Sequence, residues 1–337
     1  MTWREAMRFA LYGPAGFYAR GEPPSRHFRT STHVSPSYAG VMLVLLRQVD
    51  AALGHPGSLD LVDVGAGRGE LLGQVLDQAD RYPGLAARIA ARAVEITPRP
   101  DGLDPRISWQ SSPPAAIAGL VIASEWLDNI PLDVAELTPD GPRLVLVETE
   151  SGEERAGPPP SKADLAWARA WWPLYTPGDR AEIGRTRCEA WAGIMRRITC
   201  GLAVAADYGH ERADRPRQGT LAGYRDGRAV RAIPDGSRDI TAHVALDACA
   251  AAGWAARATA TVLTTQRRAL RALGVTARRP PPAQAGTDPL GYARALSRAS
   301  EDAELIDAQG LGAFGWLVQA VGLDIPAPLA GLGDLPA

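Results

Sequence analysis

The segment LVDVGAGRGELL, residues 61–72, constrains the fold of this chain more than any other. The apolar run 59–64 has the composition of a buried strand, and the leucines after the glycines are spaced as in a helix. Between the two parts, glycines at every second position let the backbone approach a ligand closely. The segment therefore predicts a strand, a ligand-binding turn and a helix.

The same alternation continues along the chain. Apolar runs at 91–96, 119–123, 144–147 and 202–206 are separated by helical patterns. Strands that alternate with helices are typical of a parallel sheet covered by helices. We therefore predict an α/β fold, a Rossmann-like and mostly parallel sheet, with an N-terminal lid segment and a helical insertion.

Changes in this pattern divide the chain into five parts. A triple proline at 280–282 marks a linker, and helical patterns follow it at 289–307 and 312–321. The predicted parts are an N-terminal helical and lid segment (1–54), the first part of the core (55–150), a helical insertion (151–200), the second part of the core (201–279), and a linker with C-terminal helices (280–337).

Charge and hydropathy argue against several functional classes. The formal net charge is −2, so no excess of basic residues favours nucleic acid or a membrane surface as partner. No apolar run reaches the roughly 18 residues of a membrane-spanning helix. The first residues also lack the features of a secretory signal. We expect a cytoplasmic protein, and the sequence leaves a homodimer open as its oligomeric state.

The spacing of cysteines and histidines does not favour a metal site. The three cysteines, Cys188, Cys200 and Cys249, contain no C-x-x-C pair, which is typical of reduced and buried thiols. No two histidines are spaced as ligands either. We therefore expect no metal ion in the site.

The glycine turn fits phosphate ligands poorly. A dinucleotide turn requires G-x-G-x-x-G, and here the third glycine comes one residue early, while a P-loop requires a Gly-Lys-Ser/Thr that is absent. S-adenosylmethionine carries no phosphate and fits better. Asp63 can attract its ammonium group, and Glu95, at the end of the next strand, can accept both ribose hydroxyls. A glycine-rich turn with a solvated aspartate is the alternative.

An acidic pair follows the next predicted strand. In IASEWLDNIP, Glu125 and Asp128 lie beyond a buried run, and residues after the strands of an open parallel sheet line its ligand crevice. Two carboxylates there could orient a cationic acceptor and take up the proton that methyl transfer releases. We therefore predict that both are catalytic. The alternative is a pair that satisfies backbone donors at a helix N-terminus.

The order of these motifs resembles that of the MidA-like methyltransferases. The matching segments extend over roughly residues 6–322 and include ALYGPAGFY, FRTSTHVSPSYA, VDVGAGRGEL, AVEITP, SEWLDNIP, GDRAEI, AADYGHE, QGTLAGYRDG, SRDITAHV and TTQRRALRALGV. Mitochondrial members of that family assist assembly of respiratory complex I by methylating a protein arginine. The resemblance thus implies S-adenosylmethionine-dependent methylation of an arginine side chain.

The resemblance also implies particular site residues. For the cofactor they are Asp63, Gly65, Gly67, Gly69, Glu95, Thr30 and Ser31, and for the acidic motifs they are Glu125, Asp128, Asp207, Tyr208, Gly209, Asp239 and His243. Three departures from the family pattern occur, at Asp63 with Ala66, at Trp126, Leu127 and Asn129, and at Arg26 with His27. They affect the expected acceptor more than the expected cofactor.

Two other functions stay open at this point. One is a small-molecule or peptide methyltransferase of a biosynthetic pathway with the same cofactor site. The other is an assembly factor whose cofactor site is vestigial. The partner is accordingly a protein or peptide acceptor, or a small molecule.

Overall fold

The computed structural model describes residues 1–14, 16–18, 30–225 and 227–333. The departures at Arg26 and His27 therefore lie outside the described residues. The chain divides into two compact units. The seven-stranded unit comprises the described residues within 29–124, 197–206 and 258–337, and the mixed unit comprises those within 1–28, 125–196 and 207–257. None of the described helices is both long and apolar enough to span a bilayer.

The described helices and strands alternate along most of the chain. The helices are α1 Trp3–Tyr12, α2 Ser31–Val34, α3 Pro36–Ala52, α4 Glu70–Ala79, α5 Pro83–Ala86, α6 Lys162–Trp171, α7 Arg185–Met195, α8 Leu246–Ala256, α9 Gln266–Ala272, α10 Gln284–Thr287, α11 Pro289–Leu305 and α12 Ala327–Ala330. The strands are β1 Leu59–Val64, β2 Ile89–Val94, β3 Ser108–Gln110, β4 Ile117–Ser124, β5 Asp133–Thr138, β6 Gly141–Val147, β7 Glu154–Ala156, β8 Arg180–Ile183, β9 Ile198–Asp207, β10 Gly209–His210, β11 Ala222–Arg225, β12 Arg228–Val230, β13 Asp239–Thr241, β14 Val244–Ala245, β15 Ala260–Thr265 and β16 Gly315–Val321.

The seven-stranded unit confirms the predicted α/β class. Its sheet has the order β15-β16-β9-β4-β1-β2-β3, and β9, β4, β1, β2 and β3 run parallel. The strand order reverses at β1, because the chain proceeds to β2 and β3 on one side and to β4 on the other. In open α/β sheets, ligands bind at the carboxyl ends of the strands beside such a reversal. Here those ends are Val64 and Ser124.

The mixed unit is built from three separate stretches of chain. It contains a four-stranded sheet in the order β7-β6-β5-β8, a three-stranded sheet β12-β11-β13 and the pair β10-β14. Within the predicted N-terminal helical segment lies α1, which Thr2 begins with a capping box. The buried face of α1, including Trp3, Met7 and Leu11, packs in one core with Val134 and Ile240.

Two predicted elements differ in the structure. The helix predicted at 312–321 is wrong, because β16 pairs there antiparallel with β15 and is buried along most of its length. A short run that is buried on both faces carries no periodicity that separates a strand from a helix. The run 144–147 is a strand as predicted, but β6 pairs antiparallel with β5 and β7 and lies outside the seven-stranded sheet.

Candidate functional site

The glycine turn after β1 has a left-handed backbone at all three glycines. The φ angles of Gly65, Gly67 and Gly69 are 75°, 59° and 81°, a region that glycine adopts at little cost. A Cβ atom on Gly67 would meet only Glu70 Oε2, at 3.8 Å, whereas one on Gly69 would lie 2.8 Å from Leu103 Cδ1. Gly67 therefore leaves open space beside the turn, and Gly69 allows close packing.

Glu95 directly follows β2 and is fixed by backbone donors. Its Oε2 accepts from Gly67 N at 3.1 Å, and its Oε1 accepts from Ile96 N at 2.7 Å and Thr97 N at 3.1 Å. A carboxylate held in this way needs little reorganisation to accept hydroxyl donors from a ligand. The hydrogen bond from Gly67 thus joins the glycine turn to the residue that follows β2.

Asp63 lies at the end of β1 and is only 3% exposed. Burial, with the nearby charges of Glu70 and Glu95, raises the pKa of Asp63 to about 7. Loss of hydration disfavours the charged form of a carboxyl group, and like charges add to this effect. A cation that binds beside Asp63 would therefore favour its ionised form.

Residues 30–33, at the start of α2, include a contact with the first turn of α4. His33 Nε2 lies 3.5 Å from Glu70 Oε1, and Thr30 Oγ1 lies 2.6 Å from His33 Nδ1. Ser31 is 1% exposed, and its hydroxyl accepts from Gln266 Nε2 at 3.0 Å. The structure therefore places Thr30 at the N-cap of α2, beside the His33 ring, and places Ser31 within a buried hydrogen-bonded network.

In the mixed unit, the segment 125–129 forms a turn that we call the acidic loop. Glu125 has a φ of 53°, which is rare for a residue with a side chain and is found where surrounding contacts enforce it. Asn129 supplies one such contact, since its Nδ2 donates to Glu125 O at 3.1 Å. Tyr12 and Tyr18 donate to Asn129 O and Oδ1, at 2.9 and 2.8 Å.

Asp128, which belongs to the acidic loop, and Asp207, which binds that loop, are both buried and hydrogen bonded. Asp207 Oδ2 accepts from Leu127 N at 2.9 Å and from Asp128 N at 3.1 Å. The carboxylate of Asp128 accepts from Thr241 Oγ1 at 2.8 Å and from Asn129 Nδ2 at 3.0 Å. Asp128 is thus engaged by side chains on both of its oxygens, a feature that the sequence spacing does not reveal.

The charge of Asp128 acts on two other buried carboxyl groups. Burial and the charge of Asp128 raise the pKa of Asp207 well above its ordinary value and that of Asp239 to about 8. Among the described residues, one oxygen of each of these two groups, Oδ1, has no hydrogen-bond partner. We call Glu125, Asp128, Asp207 and Asp239 the acidic cluster. A cationic group with several N–H donors matches both its charge and its acceptors.

A row of rings continues from this cluster. The rings of Tyr208 and His243 stack at 5.8 Å, and those of His243 and His210 lie 6.2 Å apart.

Two of these rings have shifted pKa values. Burial and the charges of Glu125 and Asp128 raise the pKa of Tyr208. Burial and Arg215, whose Nη1 lies 2.6 Å from His210 Nδ1, lower the pKa of His210 to about 3. His210 is therefore neutral at physiological pH.

Two supporting residues were missed at the level of sequence. Glu182 accepts from Thr220 N, Thr220 Oγ1 and Leu221 N at 2.5–2.7 Å, and Thr220 Oγ1 accepts from His243 N at 2.8 Å. Arg187, on α7, donates to main-chain carbonyls of the acidic loop and of the segment after β13. Both residues lie in the predicted insertion. Glu182 belongs to the matching segment GDRAEI, which was the one signal that could have indicated it, whereas nothing in the local pattern distinguishes Arg187 from a surface charge.

The predicted site residues thus fall into two groups. The seven-stranded unit holds the residues predicted for the cofactor, Thr30, Ser31, Asp63, Gly65, Gly67, Gly69 and Glu95. The mixed unit holds those of the acidic motifs, Glu125, Asp128, Asp207, Tyr208, Gly209, Asp239 and His243. The chain passes from one group to the other at the end of β4, where Glu125 follows Ser124.

Comparison with known proteins identifies relatives across most of the chain. The curated "Protein arginine methyltransferase NDUFAF7, mitochondrial" of Xenopus tropicalis is 25% identical over 293 residues, covering 72% of this chain and 65% of that protein. The alignment thus spans less than two thirds of the relative's length.

Solved structures share the fold. A protein of Burkholderia thailandensis, bound to S-adenosyl-homocysteine, superposes with a TM-score of 0.82 at 23% identity, over 99% of this chain and 91% of that one. A native structure of a protein from the same organism gives a TM-score of 0.80 at 24% identity, with the same coverage.

The family itself follows from residues 42–264, which match the sequence model of a family described as S-adenosyl-L-methionine-dependent methyltransferases. This match includes β1, the glycine turn, the acidic loop and β13, and it extends over more than half of the chain. The resemblance to MidA-like methyltransferases is thereby confirmed. The chain belongs to this family of S-adenosyl-L-methionine-dependent methyltransferases.

Proposed function

We propose that this protein methylates an arginine side chain of a protein or peptide, with S-adenosylmethionine as methyl donor. The observation that carries the proposal is the acidic cluster, four carboxyl groups gathered at the acidic loop and the strands that support it. The name of the Xenopus relative, a protein arginine methyltransferase, supports the same acceptor class.

The residues of the glycine turn fit the cofactor. Beside Gly67 the space is open, the Glu95 carboxylate is already oriented by three backbone N–H groups, and Asp63 is a buried acid whose ionisation a cation would favour. We assign the ribose hydroxyls to Glu95 and the ammonium group to Asp63. When bound, the cofactor supplies an electrophilic methyl group on a sulfonium.

The acidic cluster fits a guanidinium. This group stays protonated at neutral pH and presents planar N–H donors that match carboxylates in pairs. Ionised carboxyl groups repel one another in a buried site, so a bound cation stabilises them more than a neutral molecule of the same shape would. The acidic cluster should therefore bind a cationic acceptor more tightly than a neutral one of the same shape.

Glu125 is the residue that we assign to proton transfer. As a guanidinium nitrogen gains the methyl group, the C–S bond breaks and the nitrogen loses a proton, which the Glu125 carboxylate accepts. We assign Asp128 a supporting part in catalysis, because its oxygens already accept from Thr241 and Asn129. Positioning and charge carry the rate, without a covalent intermediate on the protein.

The test is methyl transfer from cofactor with a labelled methyl group to matched peptides, analysed by mass spectrometry. One peptide contains arginine, a second contains citrulline, which is similar in shape but neutral, and a third contains lysine. We expect label on the arginine peptide alone. Label on a small guanidine but not on peptides would favour the biosynthetic alternative, and cofactor binding without transfer to any acceptor would favour a vestigial site.

A further inference from the structure

Arg187 is a buried cation that contacts main-chain oxygens. Its side chain, on α7, is 1% exposed. Nε donates to Ile130 O at 3.1 Å, Nη1 donates to Ala242 O at 2.7 Å and to His243 O at 3.1 Å, and Nη2 donates to Asp128 O. Within the described part of the chain, no carboxylate lies close enough to form an ion pair with it.

These hydrogen bonds join two segments that are distant in sequence. Asp128 and Ile130 belong to the acidic loop and its continuation, whereas Ala242 and His243 follow β13, which contributes Asp239 to the acidic cluster. A planar guanidinium has donors in fixed directions, so it fixes the spacing of the carbonyls that it binds. Arg187 thus holds the two segments at a set distance from each other.

The positive charge of Arg187 also acts on the surrounding titratable groups. The groups that face it from the neighbouring elements are Asp128, Asp207, Glu182, Cys249, His210 and His243. Its charge lowers the pKa of Asp128 and Asp207, in opposition to burial, which raises both. The ionised form of the acidic cluster therefore depends in part on Arg187.

Burying the charge of an arginine costs desolvation free energy, which packing alone does not offset. Replacing buried charges by apolar side chains of similar volume is often neutral or stabilising. The carbonyls that Arg187 binds lie in the acidic loop, which contains Asp128, and directly after β13, which contains Asp239. This placement connects its burial with the site.

We infer that Arg187 is a positioning residue of the acceptor site, which fixes the acidic loop against the segment after β13 and supplies the charge that balances the buried carboxylates. The inference rests on the proposed function only for its acceptor. It assigns no chemistry to Arg187, which acts through Asp128 and its neighbours.

The test compares three variants of the full-length protein. Arg187→Lys keeps the charge but loses the planar fork, and Arg187→Met loses both. Arg185→Met is the matched control, because Arg185 lies on the same helix and pairs with Asp164 and Glu189 on its more exposed side. Each variant is measured for cofactor affinity by calorimetry, for kcat and KM with the arginine peptide, and for the pH dependence of kcat/KM.

We expect Arg187→Met to lower kcat/KM by about 100-fold, the typical effect of a misplaced site, while cofactor affinity stays close to wild type. Without the cation the pKa of Asp128 and Asp207 rises, so the acid limb of the pH profile moves to higher pH. Arg187→Lys should lose activity but keep the acid limb of the wild type. Arg185→Met should resemble the wild type in all three measurements.

Two results would overturn the inference. One is an Arg187→Met protein that binds cofactor normally and retains both kcat/KM and pH profile. The other is an Arg187→Lys protein with lower thermal stability but normal kcat/KM. This second result decides the matter if Arg187→Met does not fold. Should the wild type methylate no peptide, binding of arginine amide in the presence of S-adenosylhomocysteine replaces turnover. The inference then requires weaker binding to Arg187→Lys, and it is overturned if the two proteins bind alike.

Discussion

The glycine turn and the acidic loop both follow parallel strands of one sheet, yet they are built in opposite ways. The turn owes its form to backbone conformation, with three positive φ angles and a carboxylate, Glu95, that backbone donors hold. The acidic loop owes its form to buried side chains whose partners, including Asp207 and Thr241, lie some 80 to 113 residues away.

This difference separates the two halves of the proposed reaction. A glycine turn can be disabled by a single side chain that fills its open space, with little effect on the rest of the protein. A buried network couples its members, so a change at one position affects both stability and chemistry. Substitutions in the turn should therefore affect cofactor binding, and substitutions in the acidic loop should affect transfer.

The largest effect that we expect follows from Gly67→Val. A side chain there would occupy the open space beside the turn and would adopt an unfavourable φ, so cofactor affinity should fall by about 100-fold or more, or about 2.7 kcal/mol. Gly73→Val is the control, because Gly73 lies within α4 with open space around it. Calorimetry measures both variants, and equal affinities would contradict the assignment of the turn.

A smaller effect concerns pH. Because the pKa of Asp63 is raised to about 7, a cation that requires the ionised form must displace a proton below that pH. Cofactor affinity should therefore decrease by up to about tenfold per unit as pH falls below 7, and it should level off above 7.

Asp63→Asn should bind more weakly above pH 7 and lose this pH dependence. Calorimetry in buffers of different ionisation enthalpy detects the released proton directly. An affinity that stays constant as pH falls below 7 would show that Asp63 does not contact the cationic end of the cofactor.

The smallest effect concerns the N-terminal segment before Ser35, which the sequence predicts to close over the cofactor. Thr30 and His33 already contact each other, and His33 pairs with Glu70 at the start of α4. Cofactor binding should increase the protection of amide hydrogens in 30–34 against exchange. Equal protection with and without cofactor would count against a lid.

The sequence predicted the parts of the fold that depend on local pattern. The bounds of β1 are confirmed, because an apolar run that ends at a glycine turn has a local signature. The sequence predicts a helix where β16 lies, because the last six residues of this strand are all buried and their pattern carries neither period. Its assignment depends on pairing with β15, which no local feature reveals.

The site residues also divide into those that the sequence indicates and those that depend on distant contacts. Asp63, the glycines and Glu95 could be found because a turn and the ends of adjacent strands are close in sequence. Arg187 could not be found, since the chain is rich in arginine and its acceptors are carbonyl groups, which every residue has. The engagement of Asp128 by Thr241 likewise depends on a segment more than a hundred residues away.

We expect cofactor binding and methyl transfer to depend on different residues, and the pair Glu125→Gln and Asp128→Asn separates the two. Both variants should bind cofactor as the wild type does, while Glu125→Gln should lower kcat with the arginine peptide by about 100-fold or more.

Asp128→Asn should also lower kcat, and in addition it should lose about 1–3 kcal/mol of unfolding free energy, because an amide in place of the carboxylate leaves a buried donor without an acceptor. The decisive measurement is kcat for folded, cofactor-saturated Glu125→Gln. A strongly reduced kcat at normal cofactor affinity supports this separation of binding from transfer, and a normal kcat contradicts it.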